Sequence, residues 1–434
     1  MPSNDGTNRS TGFRSQSRRS FMSGVLGTAG LAGFSSESLA QVAGVPEDPG
    51  DIYYVTKQSE NKYQIIDTSD VDGGLITGDS QAENVFQYAF DQIGSEGGAV
   101  IASGDTFEFE GPATMGDNTM LVGQRKTRFI ASQTGTTESI LPTEQQGETV
   151  PAGHDLIRIR GDNTVVSGIE FDGNGTQQAN QAIQADNADG VVITNNRTVN
   201  GFQMAISFTR CTDVAVVGNE IVDPNWYGIT SRAAPAGSNL DLRQSSDIII
   251  ANNRVSGMKF NNIAPYNARN FTVFGNVVFD GGHSLIACSP SQQGAIVGNV
   301  CRDLNSFAPD PGGEAGIEIE YKRTHLTEDI AGTPRGRSYD ITITGNQVNN
   351  CPVGVISRTV AGPNQEPETA RQERAPYSFT ITGNTVSNCS DAGIRIRSGE
   401  DGVVATNTVR SSGVNMEIVG EFTSGIEEGM NVTR

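Results

Sequence analysis

The segments Ile341-Thr-Ile-Thr-Gly-Asn346 and Phe379-Thr-Ile-Thr-Gly-Asn384 repeat one phrase, in which apolar residues alternate with threonine before a closing Gly-Asn. Variants of this phrase recur along the sequence and close on Asn196, Asn219, Asn253, Asn276, Asn299, Asn346, Asn384 and Asn407. Four of the seven intervals between these asparagines are 23 residues long, and the other three are longer. A fixed period with occasional longer intervals is typical of a solenoid whose coils carry loop insertions.

A second phrase follows these asparagines and places a small or polar residue before an apolar one, as in Gly316-Ile-Glu-Ile-Glu320 and Gly393-Ile-Arg-Ile-Arg397. Coils of two or three short strands, stacked about 4.8 Å apart, predict an all-β fold: a single-stranded right-handed parallel β-helix of about ten coils. We expect the repeated asparagines to occupy a left-handed corner and to hydrogen-bond one another from coil to coil.

An amphipathic capping helix is predicted upstream, from a capping-box pattern at Ser80-Gln-Ala-Glu83 to about Ile93. It is followed by Glu96-Gly-Gly-Ala-Val-Ile-Ala-Ser-Gly-Asp-Thr-Phe107 and by Asn118-Thr-Met-Leu-Val-Gly-Gln124. This arrangement resembles the N-terminal cap and first coils of the pectate-lyase-like (pectin-lyase-fold) superfamily, over roughly residues 79–420. The resemblance implies that a polysaccharide binds along a row of strands. The motifs of characterised pectate lyases and polygalacturonases have no match here, which argues against pectin itself as the substrate.

The N-terminal region has the pattern of an export signal. Ser17-Arg-Arg-Ser-Phe-Met22 resembles the twin-arginine motif, and an apolar stretch and the small-x-Ala site Ser38-Leu-Ala40 follow it. We therefore predict a twin-arginine signal peptide at 1–40, an N-terminal extension at 41–78 and the β-helix at 79–434, with loop insertions at 233–246, 322–338 and 359–376. The predicted mature protein is secreted (extracellular) and has no membrane attachment after signal removal.

The composition is strongly acidic. The chain has 50 Asp and Glu against 30 Lys and Arg, a formal net charge of −20, and only five of the basic residues are Lys. Excess carboxylate with scarce lysine is typical of a halophilic protein, because concentrated salt screens charge repulsion. Such a surface argues against binding to nucleic acid or anionic membranes. The five cysteines lack metal-ligand spacing, and Cys351 and Cys389 are predicted to stack in the core, with a disulfide between them left open.

The functional face is predicted from strand alternation, because alternate residues of a strand share a face. The residues one and three positions after the buried Ile or Val of the second phrase are expected to point outward. The first outward row comprises Arg158, Gln184, Ser207, Thr230, Ala264, Ala287, Glu318, Ile356 and Arg395, and the second comprises Arg160, Asp186, Thr209, Arg232, Tyr266, Ser289, Glu320, Arg358 and Arg397. The three loop insertions follow this strand, which favours a binding site along its edge.

Glu318 and Glu320 are the main catalytic candidates. As residues i and i+2 of one strand they are expected about 6.5–7 Å apart, which suits a general acid and a base or nucleophile on either side of a glycosidic bond. The alternative is β-elimination from a uronate, in which an arginine or Ca²⁺ neutralises the substrate carboxylate and His283, Tyr266 or an arginine removes the proton. The predicted substrate-binding residues are Asp186, Trp226, Tyr227, Arg232, Tyr266, Arg358, Arg395 and Arg397.

Two classes of function therefore stay open. The first is an exported carbohydrate-active enzyme, either a glycoside hydrolase or a polysaccharide lyase. The second is a non-catalytic glycan-binding β-helix, a surface or tail-spike-like protein in which the two glutamates merely pair with neighbouring arginines. Both have a polysaccharide as partner. No resident cofactor or metal ligand set is identified, Ca²⁺ is a possible addition, and the coil pattern suits a monomer or a trimer.

Overall fold

A computed structural model describes residues 50–60, 62–67, 75–132, 144–145, 148–149, 154–175, 179–224, 226–231, 244–304, 315–322, 336–360, 374–419 and 422–434. The predicted signal peptide, Arg232 and most of each predicted loop insertion lie outside these residues. The described strands stack coil upon coil into three sheets, each coil passing through sheet 1, sheet 2 and sheet 3 in turn. This architecture confirms the predicted right-handed parallel β-helix.

Sheet 1 has 16 strands. Those of the coils pair in parallel, whereas Lys62–Asp67 pairs antiparallel with the strands on either side of it, so part of the predicted N-terminal extension continues this sheet. The strands are Asp51–Ser59, Lys62–Asp67, Leu75–Asp79, Gly98–Ala102, Thr119–Gly123, Thr164–Ser167, Asp189–Thr194, Thr212–Val217, Ser245–Ala251, Ala268–Phe274, Gln292–Val297, Tyr339–Thr344, Tyr377–Thr382, Gly399–Ala405, Thr423–Ser424 and Glu427–Gly429.

Sheets 2 and 3 complete each coil with 12 and 11 strands. Sheet 2 comprises Thr106–Phe109, Arg128–Ala131, Glu170–Asp172, Arg197–Val199, Glu220–Val222, Arg254–Ser256, Val277–Phe279, Val300–Arg302, Gln347–Asn349, Thr385–Ser387, Thr408–Arg410 and Val432–Thr433. Sheet 3 comprises Ala113–Met115, His154–Ile159, Ala179–Asp186, Met204–Thr209, Tyr227–Ser231, Ile263–Ala264, Ser284–Cys288, Ala315–Lys322, Val353–Val360, Ala392–Ile396 and Val414–Ile418. A separate two-stranded hairpin pairs Glu144–Gln145 with Glu148–Thr149.

The core is built from columns of apolar side chains, one per coil. In sheet 1 the in-register pairs stack Ile193, Val216, Ile250, Val273, Ile296, Ile343, Ile381 and Val404. Every member of this column is 0% exposed. Burying one such side chain contributes about 1.5–3 kcal/mol, so the alternating apolar residues of the repeat stabilise the stack directly.

An asparagine ladder follows the corner between sheets 1 and 2, as predicted. Asn276 Oδ1 accepts hydrogen bonds from the backbone N (2.9 Å) and Nδ2 (3.0 Å) of Asn253, and Asn276 Nδ2 donates to Asn299 Oδ1 at 2.9 Å. The same pattern continues to Asn431, which the sequence analysis missed although it follows Asn407 by 24 residues. Each amide therefore binds one coil to the next in the interior, where an unpaired polar group is costly.

The left-handed residue of this corner is not the ladder asparagine, and that expectation was wrong by one position. The residues with positive φ stand directly before the ladder: Asn195, Gly218, Asn252, Gly275, Gly298, Gly345, Gly383 and Thr406, with φ between 54° and 68°. Glycine and asparagine tolerate this conformation best. In each Gly-Asn pair, the first residue therefore turns the chain and the second hydrogen-bonds the neighbouring coils.

The predicted capping helix is α1 (Ala82–Gln92). The ring of Phe86 lies 5.2, 5.6 and 4.9 Å, between centroids, from those of Phe107, Phe109 and Phe129, so the helix covers the apolar end of the first coils. The predicted capping box is absent, because the N-cap is Gln81 and makes no side-chain cap hydrogen bond.

The cysteines are all buried and none forms a disulfide. Burial raises the pKa of Cys211 to about 11 and that of Cys351 well above its ordinary value. Cys351 and Cys389 are close enough for their charges to interact, which agrees with the predicted stack of core thiols.

Replacing Asn276 by alanine should lower the free energy of unfolding by about 3 kcal/mol, because the amide groups of Asn253 lose their acceptor in the interior. Asn431→Ala is the matched control, since this last ladder residue is only half-buried and water replaces part of what is lost. We expect a loss nearer about 1 kcal/mol there. Chemical denaturation measures both, and equal losses would contradict the role of the buried ladder.

Candidate functional site

Sheet 3 carries the first predicted outward row in the predicted order. In-register pairs join Arg158, Gln184, Ser207, Thr230 and Ala264, and then Ala287, Glu318, Ile356 and Arg395. The pair Ile263–Ile286 connects the two halves. These side chains point away from the core, because their strand neighbours Ile317 and Ile319 belong to it.

Several side chains of the central coils are buried on the outer side of sheet 3. They form a second apolar cluster outside the core: Met204, Tyr227, Phe260, Ala264, Tyr266 and Ala287, with Trp226 partly buried against it. Tyr227 and Tyr266 are 3% and 4% exposed. Burial raises the pKa of Tyr266 well above its ordinary value, so its phenol is protonated at neutral pH and does not suit the predicted alternative role of a base. Trp226 keeps the most accessible surface of the three aromatic candidates.

A charged centre made of His283, Ser284, Glu318, Glu320 and Arg358 lies beside this cluster. Arg358 Nε donates to Glu318 Oε1, and Arg358 Nη2 lies 3.8 Å from Glu320 Oε2. Ser284 Oγ donates to Glu318 Oε2 at 2.6 Å. The side chains of both glutamates are at most 1% exposed and that of Arg358 is 6% exposed. The structure therefore brings Glu318, Glu320, Arg358 and His283 together, although the sequence analysis assigned the glutamates and His283 to alternative mechanisms.

The electrostatics of the centre favour an ionised Glu318. Burial alone raises the pKa of this carboxyl, but the charges of Arg358 and His283 and the hydrogen bonds from Ser284 and Arg358 outweigh burial, and the pKa is lowered. A general acid needs the opposite shift. Glu318 is thus suited to act as a base, a nucleophile or a fixed negative charge, and not as the acid of the predicted pair.

His283 is the member of the charged centre nearest to the surface. It directly precedes the strand Ser284–Cys288, and its ring lies 4.5 Å from that of Phe260, between centroids. Its Nδ1 lies 3.9 Å from Glu318 Oε2, and its side chain is 11% exposed. An imidazole between an aromatic face and an ionised carboxylate can accept a proton because the carboxylate stabilises the resulting cation.

The C-terminal arginines continue the outward rows beyond Arg358. Arg395 donates to both Asp391 and Glu417. Arg397 makes no ion pair within 4.0 Å among the residues that the structure describes, and burial together with the charges of Arg395 and Arg358 lowers its pKa. An arginine in surroundings this positive is suited to bind an anion.

Asp186 lies far from the charged centre. Five coils, or about 24 Å, separate its strand Ala179–Asp186 from the strand of Glu318. Its carboxylate is held by Arg210 and Arg160 instead. The predicted site residues thus divide into an N-terminal group, an aromatic group, the charged centre and a C-terminal arginine pair, while Arg232 lies outside the described residues.

Sequence reasoning missed Phe260 and Ser284, which contact His283 and Glu318. Ser284 could have been identified, because it adjoins His283 and precedes a buried strand. Phe260 could not, since it lies in an irregular coil between two strands where alternation gives no face.

Within the described residues, His, Cys, Asp and Glu side chains nowhere gather in a group of three that could hold a metal ion. The one described helix is too short to cross a bilayer.

Comparison with known proteins extends the description of the fold. No protein-family model matches the sequence, and no curated protein matches it. Among solved structures, the periplasmic alginate epimerase AlgG is similar with a TM-score of 0.49 and 12% identity, over 78% of this chain and 77% of that chain. The A-module of the mannuronan C-5 epimerase AlgE4 from Azotobacter vinelandii gives 0.44 and 12%, over 79% and 95%. The catalytic domain of a GH87 α-1,3-glucanase gives 0.48 and 14%, over 80% and 66%.

Replacing Arg358 by methionine should destabilise the protein by about 3–5 kcal/mol at pH 7, because two buried carboxylates lose their cation. In the native protein the lowered pKa of Glu318 gives stability above the ordinary carboxyl pKa, and this stability is lost as pH falls. Without Arg358, burial dominates and raises the pKa of Glu318, so protonation of this carboxyl relieves the variant as the pH falls. The difference in free energy of unfolding between Arg358→Met and the wild type should therefore be smaller at pH 4 than at pH 7.

The control is Arg254→Met, an arginine 51% exposed whose nearest described carboxylate is 3.9 Å away. We expect less than about 1 kcal/mol there. Denaturation at both pH values measures the difference, and a deficit in Arg358→Met that is independent of pH would show that lost packing alone is responsible.

Proposed function

We propose that the protein is an exported, polysaccharide-active enzyme that cleaves an acidic glycan by β-elimination at the charged centre of sheet 3. The observation that carries the proposal is the contact between His283 and the ionised Glu318. The twin-arginine signal and the acidic, lysine-poor composition support secretion into concentrated salt as part of the same proposal.

His283 is the proposed base. Its imidazole takes the proton from C5 of a uronate, and the fixed charge of Glu318 stabilises the imidazolium that forms. The electron pair left at C5 forms the C4–C5 double bond as the C4–O bond breaks, and the imidazolium returns the proton to the leaving oxygen. Arg358, the arginine within the charged centre, neutralises the carboxylate of the reacting sugar.

Arg397 is proposed to bind a different sugar of the same polymer. It directly follows the strand Ala392–Ile396, which lies three coils, or about 14 Å, beyond Ser284–Cys288, so Arg397 does not reach the C5 atom that His283 deprotonates. Its guanidinium has no carboxylate within ion-pair distance among the described residues, so a substrate carboxylate can occupy that place.

A non-catalytic glycan-binding protein is the second candidate. The specific observation in its favour is the near-complete burial of Glu318, Glu320 and Arg358, which also suits an ion cluster that only stabilises the fold. The two proposals differ in what His283 does, and this difference can be measured.

Replacing His283 by alanine should reduce the rate of cleavage by about 10²- to 10⁴-fold and leave glycan binding intact. The wild-type protein is incubated in molar KCl with polyuronates and neutral polysaccharides, and reducing ends and the absorbance of unsaturated uronate are followed together. His154→Ala is the control, because its strand lies five coils away in the same sheet.

Both signals rising in step support elimination. Reducing ends without the absorbance indicate hydrolysis, and Glu320→Gln then tests the carboxylate pair. Deuterium uptake at C5 without cleavage indicates that the sugar is reprotonated instead of cleaved. Binding without any reaction supports the second candidate, and equal activity of His283→Ala and wild type refutes the assignment of the base.

A further inference from the structure

We propose that a cluster of three arginines at the N-terminal end of sheet 3 is a separate binding site for anionic groups of a polysaccharide. We call Arg158, Arg160 and Arg210, with the carboxylates of Asp155 and Asp186, the N-terminal arginine cluster. The proposal relies on the proposed function for the carbohydrate nature of the ligand, and on the cluster itself for the negative charge of that ligand.

The cluster has a surplus of positive charge. Arg158 Nε donates to Asp155 Oδ2 at 2.8 Å, and Asn180 Nδ2 donates to Asp155 Oδ1 at 3.1 Å. Asp155 is 0% exposed, and burial raises its pKa, so this carboxylate is protonated more readily than an exposed aspartate. Among the described residues, three guanidinium groups therefore face two carboxylates, in a chain whose net charge is −20.

Asp186 is fully engaged by its arginine neighbours. Arg210 Nη2 donates to Asp186 Oδ1 at 2.6 Å and to Oδ2 at 2.7 Å, and Arg160 Nη1 lies 3.4 Å from Oδ2. A carboxylate held in this bidentate way has little capacity left for a sugar hydroxyl. The sequence analysis predicted that Asp186 binds the substrate. These contacts favour the neighbouring arginines as the substrate-binding residues instead.

Arg160 is the member that presents the surplus charge to a ligand. Its side chain is 33% exposed, compared with 14% for Arg158 and 17% for Arg210. Its Nη2 donates to Gln184 Oε1 at 3.1 Å, and this amide orients the guanidinium without neutralising it. Burial lowers the pKa of Arg160, while the charges of Asp186 and Asp155 oppose those of Arg158 and Arg210, so an incoming anion would stabilise a partly desolvated guanidinium.

The position of the cluster indicates a polymer as the ligand. It lies on the outward side of sheet 3, the same side as the charged centre, with about 24 Å between the strands of Asp186 and Glu320. One acidic sugar cannot reach both sites, whereas one chain carrying repeated anionic groups can. The acidic surface repels such a chain at long range, but in molar salt the screening length is about 3 Å and short-range arginine contacts decide binding.

The test measures equilibrium binding in 1 M KCl, with polygalacturonate, dextran sulfate and neutral dextran as probes. All variants carry His283→Ala, so cleavage does not interfere. Arg160→Gln removes the exposed cation and leaves the bidentate pair of Arg210 with Asp186 in place. Arg254→Gln on sheet 2 is the control with the same change of charge.

We expect Arg160→Gln to weaken binding of the anionic probes by about tenfold, and Arg254→Gln to change it by less than about twofold. Asp186→Asn should tighten binding, because it enlarges the positive surplus. Carboxylated and sulfated probes distinguish the two kinds of anion, and neutral dextran should not respond to Arg160→Gln.

Three results would overturn the proposal: equal effects of Arg160→Gln and Arg254→Gln, weaker binding after Asp186→Asn, or no binding of either polyanion. The outcome is independent of the proposed elimination. If the protein binds polyanions with this pattern but cleaves none, the binding site is supported and the proposed enzyme activity is refuted. If the wild type cleaves a polyuronate but Arg160→Gln leaves the affinity unchanged, the enzyme activity is supported and the binding site is refuted.

Discussion

Hydrogen bonding between successive coils in register is the constraint on which the rest of the structure depends. A pair such as Asn276 and Asn299 can exchange amide hydrogen bonds only if each coil repeats the path of the one before it. The apolar columns of sheet 1 depend on the same repetition. Because the ladder is buried, a shifted coil would leave polar groups unpaired in the interior, and this cost keeps the register through long and short coils alike.

Much of the fold, and part of the candidate site, could therefore be predicted from the sequence. A period of 23 residues and the alternation of apolar residues give the order of side chains on sheet 3, so Glu318 was correctly placed between Ala287 and Ile356. Backbone detail was harder to predict. Glycine and asparagine adjoin at the corner and both tolerate positive φ, so composition alone did not show which of them turns the chain.

The environment of the site could not be derived from the repeat. Alternation shows that Glu318 points away from the core, but it does not place Phe260, which comes from an irregular coil and packs against His283 beside Glu318. The pKa of Glu318 is lowered against burial by the charges of Arg358 and His283 and then by hydrogen bonds from Ser284 and Arg358. Ser284 and Arg358 stand 34 and 40 residues away in the sequence. Stacking makes such distant residues neighbours, so the chemistry of one coil is set by the coils on either side.

Arginines are unevenly distributed along sheet 3, and the net charge of the chain does not reveal this distribution. A chain with a net charge of −20 would repel an acidic polymer everywhere if its charges were spread evenly. Arginines lie instead at the two ends of the outward rows, Arg158 and Arg160 at one end and Arg395 and Arg397 at the other. The interior of the rows carries ionised Glu318 beside Arg358. Concentrated salt removes the long-range repulsion and leaves the local contacts, so an acidic surface and a binding site for anions are compatible in one solenoid.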